Sequence, residues 1–582
     1  MRRMWLFLIV AAGCATAPEA APPGRPSPPG PPPRPEMTLD EDVARAVAGA
    51  VARAVAGDLK GALRTAAAPV LEKRLPRSLV ISAFGSKPVL RVVQRGATYA
   101  EALRRLLPSL PRREKVWPIR VEQVTGVFRL EDPMACAVNM RPGLDMLLAE
   151  HRKTGATVYV FSDQLLSRYL SSPAFMGALL AQLYPGCWFH RIRTQASFLV
   201  FSDGRVERLF RLRRAEVPSD AAALRAALAA ALDYLLRNRR PDGLFGYLYD
   251  AARDRFEKKE SLIRQAGTTF SVLRISALLG RRAPAAAAEA LSALLSHCKK
   301  DGDRMYLSEH DGKVTLGASA LLLWALGEYR LRTGDDRFDA QAAALAGFLL
   351  SMRKEDGSFH THFDALSGPY TRPNVWYYPG ETCLALASAA KVWGRNDWKE
   401  ASLKAWRALA AARVGVWKSG ARRVDAWMMK AADALGEALD DDELAPVWAY
   451  ADHLCECQKR LLDSMYPDYR GAFALYGGQP KGPADAAAAE GLAAAWRIAR
   501  RRGAAERARK YGDALVRLAP FLLRHQFDEV SAHWLPGPDR ALGGVTTGLT
   551  DGKIRIDGVQ HTMEALAGAL AVLEARDGER RR

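Results

Sequence analysis

From Ser219 onward the chain is divided by connections of two kinds, and their regular alternation limits the folds open to it. The short kind, "LLGRRAP", "RTGDDRF", "VWGRNDW", "ALGEALDDDEL" and "RRRGAAE", places Gly280, Gly334, Gly394, Gly436 and Gly503 just past apolar runs. A helix that ends in the left-handed conformation needs a glycine there. The long kind includes "RKEDGSFHTHFDALSGPYTRPNVWYYPG" and "FDEVSAHWLPGPDRALGGVTTGLTDGKIRIDGVQ". Links of that length exceed what a connection needs and commonly carry function. Between the links, apolar residues at i, i+3, i+4 and i+7 mark helices. One set covers 219–238, 284–299, 336–353, 397–413, 442–464 and 504–526; it alternates with 262–280, 315–333, 379–394, 424–438, 486–502 and 559–575.

Twelve antiparallel helices with tight turns at one end and elaborate loops at the other imply a closed ring of six hairpins. The second set, richer in small and apolar residues, belongs inside. This architecture resembles the (α/α)6 toroid shared by many glycan-processing enzymes. The resemblance covers the region 219–582 and rests on architecture rather than on a sequence signature. It implies a mainly α fold class with a glycan site at the loop face. An open α-solenoid built from the same hairpins is the alternative.

In such a ring all six inner helices start at the loop face, so their positive dipole ends point into one bowl. The stretch "NVWYYPGETCLALASAAKVWG" brings Trp376, Tyr377, Tyr378 and Glu381 to one of those starts. Pro379 and Glu381 also serve an ordinary helix beginning, by a fixed φ and a negative charge in the first turn. Other starts bring Arg264 and Gln265, then Asp485, then Arg555, Asp557 and His561. The loops add His362 and Asp364, Asp468 and Arg470, Trp534 and Arg540. Aromatic planes stack on sugar faces, hydroxyls need bidentate partners, and arginine holds a uronate or sulfate.

Acid/base work on a glycosidic bond, or beside a sugar carboxylate, needs two groups of opposed protonation. Glu381 with Asp485 or Asp557 meets that need; Tyr378 or His561 would carry the proton in a lyase or epimerase. The expectation is therefore an enzyme acting on a polysaccharide by hydrolysis, elimination or epimerisation. The alternative is a non-catalytic toroid that binds glycan or an envelope protein through the same bowl.

Several motifs point elsewhere and are better read as ordinary structure. His360, His362 and Asp364 alternate in a manner that would suit a metal, yet a solvated loop explains them as well. The acidic run at Asp440 resembles terpene-cyclase clusters but opens an outer helix at the short-turn end, where it serves as N-terminal charge. Asp557 has a competing role as a helix cap. No cofactor or resident metal is expected. Apart from Cys14, the cysteines match no zinc spacing.

Residues 38–218 read as a compact α+β domain, with strands at "SLVISAF", "VLRVV" and "IRVEQVTGVFRL" and a hairpin across Asp203-Gly204. The order of "VWPIRVEQVTGVFRLEDP", "MRPGLDMLLAE" and "GATVYVFSDQLL" is similar to the AMMECR-type domain. The glycine- and cysteine-bearing motif of that family is missing, so no site carries over. A structural or partner-binding use is expected.

The beginning "MRRMWLFLIVAAGC" has the charged, apolar and small-residue order of an export signal. Ala11-Ala12-Gly13-Cys14 resembles the bacterial lipobox, which implies acylation of Cys14 and a membrane anchor. Ala15 in place of aspartate implies the outer membrane. Residues 15–37 are a proline-rich tether that cannot build a core. With 84 Lys+Arg against 64 Asp+Glu the formal charge is +20. Arginines on polar helix faces account for it, so an acidic polysaccharide stays compatible and no nucleic-acid partner is expected.

Overall fold

The computed structural model describes residues 39–581, apart from 85–89, 112–115, 131, 135–136, 138–139, 168–172, 283, 310, 373–374, 419–423, 465 and 476–478. The export signal, Cys14 and the tether lie outside the described residues.

The chain begins with α1 (Glu41–Val55), capped by Asp40, whose carboxylate accepts the Val43 N–H. It lays Val43, Val47 and Val51 on one face of a mixed-length antiparallel sheet. The strands are β1 (Ser78–Ala83), β2 (Leu90–Arg95), β3 (Ile119–Leu130), β4 (Asp145–His151), β5 (Thr157–Val160) and β6 (Cys187–Val200), in the spatial order β2-β1-β3-β6-β4-β5. Helices α2 (Leu59–Ala66) and α3 (Tyr99–Leu106) help cover the same face, and α4 (Ser162–Ser167) and α5 (Pro173–Leu183) follow β5. β7 (Val206–Phe210) folds back on β6 through the turn at Gly204. The sequence pattern does not mark β4 or the first half of β6 as strands. The Met146-Leu147-Leu148-Ala149 run does not alternate, because β4 is an inner strand between β6 and β5 with apolar residues on both faces.

The remaining helices are α6 (Ala221–Arg237), α7 (Leu262–Leu278), α8 (Ala285–Ser296), α9 (Leu316–Thr333), α10 (Asp339–Ser351) and α11 (Tyr378–Trp393). They continue as α12 (Asn396–Lys418), α13 (Ala426–Leu435), α14 (Ala445–Lys459), α15 (Gly482–Arg501), α16 (Ala505–His525) and α17 (Ile556–Arg580). The odd-numbered helices from α7 to α17 pack in succession, and α17 packs back on α7. That last contact closes a ring, so the architecture is an (α/α)6 toroid and not an open solenoid. The even-numbered helices from α6 to α16 lie outside, each against its inner neighbours. The inner/outer division follows burial: α9 is buried without a break from Leu316 to Gly327, whereas α16 buries a stripe containing Tyr511, Leu515, Leu518 and Leu522. Gly280, Gly334, Gly394, Gly436 and Gly503 all have φ between 64° and 70°; Gly334 and Gly394 stop their helices in the expected left-handed conformation, whereas Gly436, with ψ −125°, ends its helix outside it.

The sheet and the ring meet through arginines. Arg120 is fully buried between Glu122 and Asp163, with His533 of the ring at 3.2 Å. Arg211 donates to Asp468 at 2.7 Å with both side chains buried, and Arg214 reaches Asp528 at 2.6 Å. Arg213 donates to the Arg524 carbonyl at 2.6 Å. Two of the long ring loops are therefore occupied in holding the sheet. Breaking one of these buried pairs leaves an uncompensated charge, which typically costs about 3–5 kcal/mol.

Candidate active site

The first turns of the six inner helices meet around a cavity of about 730 Å³ at the long-loop face. Its lining comes from Arg264 on α7, Thr315 before α9, Tyr378 and Glu381 on α11, Trp427 on α13, Ala488 on α15 and His561 on α17. The five inner helices from α7 to α15 pass to the next helix through a tight turn on the opposite face, so the ring leaves the dipole-positive ends together here. Trp376 and Tyr377 form the rim beside α11, and their rings meet edge-on at 6.2 Å.

Glu381 is the most perturbed acid of this cavity. It is 3% exposed, no cation among the described residues pairs with it, and its Oε2 is buried without a hydrogen bond from them. Burial, reinforced by the neighbouring Asp425, raises its carboxyl well above the ordinary range; Lys430 offsets this only in part. Space for the side chain comes from Gly317 on the adjacent helix. A Cβ there would stand 2.2 Å from Glu381 Oε2 and 2.4 Å from Tyr378 Cδ1. Asp425 caps α13 by accepting the Met428 N–H at 3.1 Å, and Arg413 stands 3.4 Å from its other oxygen. Burial pushes it up to about 6, against the pull of Arg413 and the backbone N–H groups.

Two other carboxyls, Asp557 in the cavity wall and Glu490 behind it, are held ionised. Burial would raise Glu490, but its contacts with Lys430 and with His561 Nδ1, the latter at 2.5 Å, take it down to about 2. Burial would likewise raise Asp557; Arg555 and Arg264 outweigh it and lower the carboxyl. Asp557 has both oxygens engaged: Oδ1 by Arg555 Nε at 2.5 Å and the Gly558 N–H at 3.0 Å, Oδ2 by Arg555 Nη2 at 2.8 Å and Arg264 Nε at 2.9 Å. So saturated, it has little capacity to accept a proton. His561 is placed differently. Its Nδ1 is tied to Glu490, which orients the ring and leaves Nε2 as the nitrogen available for exchange.

The remaining sequence candidates are distributed as follows. Trp376, Tyr377, Tyr378, Glu381, Arg264, Asp557 and His561 line the cavity. Arg555 stands behind Asp557, and Gln265 is buried one layer back, exchanging hydrogen bonds with the Phe245 backbone. Asp485 is not brought to the cavity. On α15 the lining positions are Ala484, Ala487 and Ala488, and Asp485 points away from them to accept the N–H of Phe473 at 2.7 Å. Burial pushes it up to about 7. His362 is buried behind Tyr378, stacked on Tyr370 and bonded through Nδ1 to the Thr361 hydroxyl.

Asp364 caps its own turn through the N–H groups of Leu366 and Ser367. Asp468 belongs to the sheet contact with Arg211, and Trp534 is buried in the core with Leu212 and Phe527. Arg470 donates to the Ser464 carbonyl and Arg540 to Asp254. Among the described residues no group of three His, Cys, Asp or Glu side chains is arranged to hold a metal. Glu490 follows Asp485 at its helix start and is the carboxyl of that helix that meets His561. Lys430 was missed as a site group, although a charge inside the apolar inner-helix run "AWMMKAADAL" was its signal.

No family model matches the chain, and no curated protein matches it. Among solved structures it is similar to a family 76 glycoside hydrolase from a bovine Bacteroides thetaiotaomicron strain, at 11% identity over 78% of this chain and 96% of that one, with a TM-score of 0.43. It is similar also to cellobiose 2-epimerase from Spirochaeta thermophila, at 16% identity over 61% and 98% of the two chains and a TM-score of 0.43. The uncharacterised protein PH0010 from Pyrococcus horikoshii matches at 11% identity over 30% of this chain and 99% of its own, with a TM-score of 0.22. The toroid itself is established by the ring contacts; likenesses this distant say nothing of substrate or reaction.

The raised Glu381 carboxyl has a consequence for stability. When both states are protonated, at low pH, it carries no charge penalty. As pH rises the unfolded chain ionises this glutamate first while the folded chain retains the proton, so native stability falls through the folded-state pKa. Melting curves of wild type and Glu381→Gln from about pH 4 to about pH 8 should show the variant gaining relative to wild type as pH rises. A difference independent of pH would mean that Glu381 ionises normally.

Proposed function

We propose that the protein is a carbohydrate-active enzyme that hydrolyses a polysaccharide in this cavity. The observation that carries the reading is a pair of groups in one aromatic-rimmed bowl: Glu381, its carboxyl raised by burial, and His561, oriented through Nδ1 by the ionised Glu490. Glu381 donates its proton to the glycosidic oxygen as the C–O bond breaks. His561 Nε2 takes a proton from the water that adds to the sugar carbon, and the two groups then exchange their protons with solvent. Trp376, Tyr377 and Trp427 supply stacking faces for the sugar rings. Asp557, saturated by two arginines, fixes the wall and does not act as base. Tyr378 has its phenol raised by burial and then by its neighbours Tyr377 and Glu381, which suits a hydrogen-bond donor better than a phenolate base.

Turnover is measured as reducing ends released from neutral and charged polysaccharides, with unsaturated products followed in parallel to detect elimination. Loss of a general acid typically costs about 10²–10⁴-fold, so Glu381→Gln is expected to fall by that much with unchanged circular dichroism. Unaltered turnover in the variant would remove Glu381 from catalysis. A wild type that binds glycans and cleaves none would leave the bowl a binding site.

The polysaccharide is met, in this reading, at the bacterial envelope, with the body tethered to the outer membrane through Cys14; the support is the lipobox-like sequence and the proline-rich 15–37 segment. The α+β part at 38–218 then serves as a structural or partner-binding module beside the ring. Expression in a Gram-negative host with radiolabelled palmitate should label the wild type and not Cys14→Ser. An unlabelled wild type would contradict the anchor.

A further inference from the structure

The sheet leaves one of its two faces open at the end where its strands outrun β1. β1 pairs with β3 only as far as Val124, so the rest of β3 is the edge of a four-stranded extension with β6, β4 and β5. Residues paired directly across strands share a face. The register therefore sets Arg129, His190, Leu148 and Tyr159 in one row across all four strands, with Trp188, Glu150 and Thr157 in the next. On the opposite face Leu147, Ala149 and Phe189 are buried in a cluster with Leu180 of α5. The face with the two rows is not closed in this way: Arg129 and Thr157 are exposed, and Trp188, His190, Leu148 and Tyr159 are half-buried.

The groups on this face are chemically complementary to an acidic sugar. The Arg129 guanidinium lies 3.8 Å from the centre of the Trp188 ring and has no carboxylate partner among the described residues. Resting on an indole costs a guanidinium none of its N–H donors, which stay free for a planar, bidentate acceptor. Glu150 Oε2 meets His190 Nε2 at 2.9 Å, and its side chain is 33% exposed, so it can still accept from hydroxyls. Tyr159 ends the row three strand spacings from Arg129, about 14 Å away, and brings an aromatic face on which a sugar ring can stack. Arg152 and Lys153, exposed in the turn between β4 and β5, add positive charge beside it. A phosphodiester backbone would share those cations but would meet the Glu150 carboxylate with repulsion.

We propose that this open face of the sheet is a second glycan site, which holds a uronate-bearing polysaccharide: a sugar carboxylate on Arg129, hydroxyls on Glu150 and a ring face on Tyr159. Trp188 acts as the platform that keeps the Arg129 guanidinium flat and presented. The inference rests on the glycan reading of the ring for the class of polymer. It gives the α+β part a use, that of keeping the polymer on the protein between encounters with the cavity.

Isothermal titration of the folded protein with oligogalacturonate tests this, beside neutral cello-oligosaccharides, polyglutamate and a single-stranded oligonucleotide. Oligogalacturonate should bind most tightly of the four. Arg129→Gln, at an exposed position, and Tyr159→Ala should each weaken it on the order of tenfold, with wild-type circular dichroism and unchanged turnover of short oligosaccharides in the cavity. Absence of oligogalacturonate binding, unchanged affinity in Arg129→Gln, or equal binding of polyglutamate or the oligonucleotide overturns the sheet inference and leaves the cavity to its own turnover test. A wild type that cleaves no sugar yet binds oligogalacturonate through Arg129 sinks the hydrolase reading and upholds this one.

Discussion

The toroid depends on one seam, where the first inner helix meets the last. Along it Arg274 pairs with Glu564, Gly267 lies close against Gln560, and Arg264 reaches Asp557. At the mouth the strand Lys553–Arg555 pairs with Leu248–Asp250, tying the entry of α17 to the loop before α7. These contacts join opposite ends of the ring sequence, so they are bought with the full closure entropy of the intervening chain. Closure brings Arg264 and Asp557 together, and both also line the cavity. Seam and site therefore share parts.

Glu381, Asp425 and Asp557 in the cavity wall and Glu490 behind it are carboxyls of similar intrinsic acidity held in different states by what stands beside them. Glu381 has no ion-pair partner among the described residues and its carboxyl is raised well above the ordinary range; Asp425, with Arg413 at 3.4 Å, is pushed up to about 6. Glu490 and Asp557 are each in contact with two basic side chains and are ionised. The same burial acts on all four, so the pairing decides the outcome. An apolar ring interior supplies that burial, which is why an acid with a raised pKa arises at a helix start that would otherwise look ordinary.

Much of this was legible in the sequence because helical hairpins leave local marks. Gly280 and its four equivalents stop helices by backbone conformation alone, and that requirement survives any tertiary context. Glu381 could be placed at the bowl because its helix start follows from Pro379 and the apolar run behind it. Rotation about a helix axis was harder to read: Asp485 differs from Ala484 by one residue, and that step turns it from the cavity to the Phe473 backbone. Asp468 and Trp534 sit on long loops that the sheet, not the bowl, engages, and no local pattern announces a partner so remote in sequence. β4 hid in an apolar run because an inner strand is covered on both faces.

The central claim is that the closed ring keeps one carboxyl, that of Glu381, neutral at the cavity wall. Difference infrared spectroscopy between wild type and Glu381→Gln at neutral pH reads that carboxyl directly. The account predicts that the variant loses a protonated carboxyl C=O band present in the wild type. Loss of ionised carboxylate bands alone, with no protonated band in the wild type, would contradict it.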